Sequence, residues 1–144
     1  MKVQLVRDVK APTRGTSKSA GLDFYVPEDF ENKILFKGDS ALIPSGVKVQ
    51  VPEGYALIAH NKSGVATKYG LVIGASVVDE DYEGEIHIHV IKVSNDPIMM
   101  EIKRGMKLVQ FVLVPINYAD VMLVNELPKR NTERGEGGFG STGL

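Results

Sequence analysis

The chain has 144 residues, 43% hydrophobic and 24% charged, with a net charge of −1. That suits one domain with a hydrophobic core, and it excludes a basic field for nucleic acid or an anionic membrane. Cysteine is absent, which excludes a disulfide framework, thiolate chemistry and a Cys-based zinc site.

Taken in chain order, short β-rich runs alternate with Gly and Pro. Residues 3–6 predict a short strand. Ala20-Gly21-Leu22-Asp23-Phe24-Tyr25 reads as a small-residue turn feeding a strand. Residues 47–51 alternate apolar and polar between Pro44-Ser45-Gly46 and Pro52-Glu53-Gly54, the pattern of a half-buried strand between two turns. Residues 55–60 predict the next strand. One short helix is expected over Ser63–Tyr69, with Ser63 as N-cap and Gly70 as its stop.

An apolar run over residues 71–78 leads into an acidic turn, and residues 86–91 alternate again. Residues 108–114 are nearly all apolar and predict a strand buried on both faces. Residues 121–124 predict a last strand. Prolines at 12, 27, 44, 52, 97, 115 and 128 leave little room for longer helices. The fold class expected is all-β, a sandwich, jelly roll or barrel with one short helix. Residues 1–128 form the expected β domain and 129–144 a flexible glycine-rich tail. Residues 1–5 lack the long apolar run of a signal peptide and no stretch is long enough to span a bilayer. A cytoplasmic protein (host cytoplasm if viral) is expected.

Five segments carry candidate chemistry. Asp23 follows the first turn as a strand-edge acid, or as a carboxylate near a cation that bridges phosphates. Lys62, Ser63 and Gly64 open the helix, where free amides and the dipole favour an anion. Asp79-Glu80-Asp81-Tyr82-Glu83-Gly84-Glu85 is either an acidic surface turn or a site. In the second reading one carboxylate is a general base on water and Tyr82 a packing wall. Gln110 is a polar amide inside an apolar strand and needs a partner, either backbone or a bound phosphate or water. His87 and His89 share a strand face; no third ligand accompanies them, so they read as sheet-face residues.

The fifth segment is the tail, Arg134 to Gly143, with five glycines in ten positions. Glycine lets amides approach a ligand closely, successive amides can form an anion nest, and Arg134 supplies a planar cation for phosphate. Phe139 offers a face for a base. Phosphate plus ring describes a nucleotide, against the alternative of a loose glycine-rich end.

In this order, Ala20-Gly21-Leu22-Asp23, Lys62-Ser63-Gly64-Val65-Ala66, Val77 through Gly84, Gly105 through Gln110 and Arg134 through Gly143 resemble the five motifs of the homotrimeric deoxyuridine triphosphatase (dUTPase) family. The resemblance spans nearly the whole chain. It implies a jelly-roll, β-clip-like subunit in a homotrimer, with sites at subunit boundaries. It also implies hydrolysis of dUTP to dUMP and pyrophosphate with Mg²⁺. It implies that Asp79 holds the attacking water and that Tyr82 packs under the deoxyribose. The hairpin through His87 reads uracil by its backbone, with Ser76 and Val78 among the substrate contacts. Lys62, Ser63, Gly64 and Gln110 hold phosphates, and Asp23 lies near the metal through a water. Arg134, Phe139 and Gly140 close over a neighbouring subunit's site.

The chain departs from the family pattern at Lys62 and Lys107, where arginine is usual, at Ser76 for glycine, at Glu83 for arginine or a similar residue, and at Met106 for an acid. The same fold also serves dCTP deaminases, and nucleotide-binding relatives that regulate a protein partner.

Overall fold

Period-two alternation and frequent turn residues produce eleven strands and one helix in the described residues of the computed structural model, residues 1–138. The strands are β1 (Lys2–Leu5), β2 (Leu22–Tyr25), β3 (Lys33–Phe36), β4 (Ser40–Pro44), β5 (Val47–Gln50) and β6 (Tyr55–Asn61). The helix α1 (Ser63–Tyr69) follows, then β7 (Leu71–Ile73), β8 (Val77–Val78), β9 (His87–Lys92), β10 (Met99–Ile102) and β11 (Lys107–Pro115). Pairing is antiparallel throughout, in the orders β2-β11-β6-β8, β4-β9-β7, β1-β5 and β10-β3.

β11 is central because it pairs with β2 on one side and β6 on the other. Its apolar sequence buries Leu108, Val109 and Phe111, while Val112 to Val114 are half-buried. The burial on both faces expected from its composition therefore holds for its first half only. β9 shows the opposite pattern, with His87, His89 and Ile91 outward and Ile88, Val90 and Lys92 inward. One core joins residues of nearly every strand, among them Phe24, Leu35, Ile43, Leu57, Ile88 and Phe111. Phe24 and Phe111 pack at a tilt of 49° with centroids 4.5 Å apart, within the favourable range for aromatic pairs.

Two local expectations are corrected. Ser63 is the first helical residue and Lys62 the N-cap, with extended backbone and no side-chain cap. Lysine has no oxygen with which to accept an amide, so the amides of the first turn stay open. Gly70 ends the helix in the left-handed conformation, as expected. The strand expected over residues 121–124 does not form. From residue 116 to 138 the chain has no helix or strand, and Val121 and Leu123 are 98% and 97% exposed. An apolar strand-like run needs an edge to pair with, and none among the described residues takes it.

A candidate site in two halves

The expected site residues fall into two groups. The first surrounds Asp23, whose side chain is 7% exposed. Lys62 donates to its Oδ1, and Lys107 Nζ lies 3.1 Å from its Oδ2. Lys107 reaches it because the β2–β11 register slips: Lys107 faces Tyr25 but Val109 faces Phe24, so Leu108 is an extra residue. A strand's faces alternate with period two, and one inserted residue reverses the parity. The bulge thus sets Lys107 and Gln110 on the same face as Asp23. Burial pushes the Asp23 carboxyl up, but the hydrogen bonds and charges of Lys62 and Lys107 outweigh it and hold the group below its ordinary value. Asp23 in turn raises Lys107.

Gln110 is fixed beside this cluster. Its Nε2 donates to the Asn61 carbonyl at 2.9 Å, and a Cβ on Gly21 would stand 2.5 Å from its Oε1. Only glycine allows this close approach. Lys62, Ser63, Gly64, Lys68 and Gln110 line one open groove of about 390 Å³. Its donors are two ammonium groups, an amide and the open first turn of α1, a set suited to an anion.

The second group surrounds a smaller cavity of about 250 Å³, lined by Ser76, Val78, Asp79, Tyr82 and His87, with Phe111 at its base. Asp79 is exposed at the start of the acidic turn. The Tyr82 hydroxyl donates to the Glu85 carbonyl at 2.9 Å, which fixes the ring across the turn. Nδ1 of His87 lies 3.0 Å from the same carbonyl. Two of the acidic residues are structural. Glu80 accepts from the Gly54 amide at 2.7 Å and from the Tyr118 hydroxyl at 2.8 Å. Glu85 accepts from the Gly46 amide and Arg7 Nε, both at 2.7 Å. Arg7 first, with that amide, holds Glu85 below its ordinary value against the opposing effect of burial. The acidic turn is therefore part buttress, and Asp79 takes no side-chain partner among the described residues.

The two halves lie at opposite ends of β6. Val78 pairs with Leu57, next to the start of that strand, and Lys62 follows its end. Lys62 lies five positions on from Leu57, a span of roughly 17 Å for extended chain. One chain therefore does not bring Asp79 to Lys62. Arg134 is exposed, and its Nε donates to the Gly137 carbonyl at 2.9 Å within its own turn. Phe139 and Gly140 lie outside the described residues.

The donor set gives no preformed metal site: among the described residues no three acidic or histidine side chains converge. Both Asp23 oxygens accept from ammonium groups, and each keeps a further lone pair with which to accept from a water. Lys107 is the site-region residue that sequence reasoning did not name for the site, noting it only as a departure from the family's usual arginine. Its signal was a register slip, which motif matching does not display.

An all-β frame presenting an anion groove and a separate ring-sized cavity with a free carboxylate defines a nucleotide-handling protein. The dUTPase family model matches residues 7–143. A deoxyuridine 5'-triphosphate nucleotidohydrolase of Dictyoglomus turgidum is 38% identical over 141 residues, covering 96% of this chain and 93% of its own. The Staphylococcus bacteriophage 80alpha dUTPase with dUPNHPP superposes with a TM-score of 0.86 at 28% identity, over 99% of this chain and 98% of that one. A variant of the dUTPase from phage phi11 of Staphylococcus aureus superposes at 0.76 and 27% identity, over 87% and 96%. That structure shows coordination of a structural Mg(II) ion. The chain belongs to the dUTPase family, and its all-β architecture with one short helix is the jelly-roll fold of that family.

Proposed function

We propose that this chain is a dUTP diphosphatase whose Asp79 holds the water that attacks the α-phosphorus of dUTP, releasing dUMP and pyrophosphate. The observation that carries the assignment is Asp79, uncommitted to any structural bond described above, at the rim of a ring-sized cavity walled by Tyr82. Tyr82, locked by Glu85, packs under the deoxyribose and leaves no room for a 2′-hydroxyl. Ser76, Val78 and the backbone of the hairpin through His87 read uracil. A cavity built to hydrogen-bond one base leaves buried groups unpaired when cytosine enters, which rejects it strongly.

Lys62, Ser63, Gly64 and Gln110 take the phosphates and spread the charge that would repel the water. Since these groups lie at the far end of β6 from Asp79 in one chain, the site is assembled from more than one subunit, in a homotrimer. The exposed apolar side chains of Val121, Met122, Leu123 and Leu127 support this, since contiguous exposed apolar groups mark interaction surfaces. Arg134, Phe139 and Gly140 belong to the tail that closes over a neighbouring site and excludes water.

Magnesium enters this reading as Mg²⁺ carried by the triphosphate, whose oxygens supply ligands that the described residues do not. A hard cation of this kind is commonly held through substrate phosphates and waters. Bound there, it would neutralise phosphate charge.

The test is a substrate panel of dUTP, dCTP, dTTP and UTP, each with and without Mg²⁺, with products identified. Hydrolysis of dUTP alone to dUMP and pyrophosphate is expected; ammonia released from dCTP would replace this reading with the deaminase of the same fold. Asp79→Asn should lower kcat by about 10²–10⁴-fold, the usual yield of a general base, with dUTP still bound in a calorimeter. Undiminished turnover would remove Asp79 from the role.

A further inference from the structure

His89 stands outside the reading above, although it faces outward on β9 next to the base-reading hairpin. Its ring does not point to solvent alone. Nδ1 accepts a hydrogen bond from the backbone N–H of Ala75 at 3.0 Å. A backbone N–H can only donate, so this bond requires a neutral ring with its hydrogen on Nε2. The ring also lies against Gly74, where any Cβ would overlap it. The backbone closes the same joint a second time: the Gly74 N–H donates to the His89 carbonyl at 3.0 Å.

These contacts hold turn 74–76, which joins β7 to β8 and delivers Ser76, Val78 and Asp79 to the cavity. The turn has one further tie, the Ala59 N–H to the Ser76 carbonyl at 2.7 Å. Ala75 itself is exposed and its side chain is a single methyl, so side-chain packing does little to fix it. Across the strand His89 faces Leu42 of β4, and along its own face it lies between Ile91 and His87. His87 is the titratable group on that face, and its Nδ1 is turned to the Glu85 carbonyl.

We propose that His89 is a positioning residue that fixes turn 74–76, and through it the base-reading wall of the dUTP cavity. This rests on the assignment of that cavity to uracil and of Asp79 to the water. Gly74 and His89 form a matched pair, the glycine making room for a ring whose nitrogen then anchors the next amide. The aromatic ring is dispensable; the acceptor at the Nδ1 position is required.

Three variants test it. His89→Phe keeps the ring but places a carbon against the Ala75 N–H. It should raise KM for dUTP and lower kcat/KM about tenfold, the scale of one lost hydrogen bond to a group otherwise left unpaired. kcat/KM for dCTP should not fall in parallel, so discrimination narrows. His89→Asn carries an oxygen near the Nδ1 position and should restore both dUTP kinetics and discrimination. Gly74→Ala should reproduce the His89→Phe defect from the other side of the contact.

Nitrogen-15 histidine spectra of the unaltered protein should show His89 with Nδ1 bare and Nε2 protonated, and saturation with dUMP should shift the Ala75 amide. Wild-type kinetics in His89→Phe, or a hydrogen on Nδ1, would overturn the proposal. An unfolded His89→Phe leaves the spectra and His89→Asn to decide. Failure of the functional reading is seen separately, as full turnover in Asp79→Asn.

Discussion

At Asp23, one buried carboxylate meets two ammonium groups. An arginine in the family's usual place would present a planar fork able to engage both carboxylate oxygens at once; here Lys62 and Lys107 take one oxygen each. The arrangement leaves one positive charge in excess beside the anion groove. Its pH dependence follows from the direction of the Asp23 shift. The folded carboxyl titrates below its ordinary range of about 3.9. Its contribution to stability is therefore complete above that range and is lost as pH falls through the folded value. Asp23→Asn should destabilise the protein by about 1–3 kcal/mol at pH 7, the scale of hydrogen bonds to charged groups. In urea unfolding the gap between the two proteins should close toward pH 3. A gap independent of pH would show that the two lysines do not set Asp23's charge. The carboxylate itself was visible in the sequence as a strand-edge acid, but its partners were not. Lys107 lies 84 positions away, and the bulge decides which way it points.

Among the elements, those with strong alternation were legible. β5, β6, β9 and β11 were expected near their observed limits, and α1 matched because Gly70 punctuates its end. β3, β4 and β10 escaped notice because lysine, proline and acidic residues interrupt their patterns. The segment over residues 121–124 shows the reverse case, a strand pattern without a strand. Its composition is suited to a sheet that this chain alone does not provide. Val121→Asp together with Leu123→Asp should convert the proposed trimer to smaller species in light scattering at micromolar concentration. Hydrolysis should fall in step, since the phosphate groove and Asp79 would no longer meet. A trimer that survives both charges would show that this arm does not hold it together.

For the molecule as a whole, the sequence contained the inventory of the site but not its partition. Five motifs in order implied a role for each residue, yet nothing in their spacing shows that Asp79 and Lys62 diverge along β6. That separation follows from antiparallel pairing of β6 with β8. The tail poses the same question on a larger scale. Arg134 bonds within its own turn in the single chain, so the role proposed for it over dUTP requires a neighbour. Deleting residues 130–144 should leave the proposed trimer intact by sizing. Hydrolysis should fall roughly a hundredfold or more, as expected when groups that order a substrate are lost. Full activity in the truncated protein would return the tail to the status of a loose end.

The bulge at Leu108 means that part of this site is written in residue count rather than residue identity. A scan of single substitutions along β11 would rank Leu108 as one more core leucine. Gln110 stands three positions after Lys107, a spacing that regular pairing of every residue would send to opposite faces of the sheet; the unpaired Leu108 brings the two to one face. The strand therefore behaves like a reading frame, in which one position supplies no chemistry and decides where the chemistry on either side is delivered.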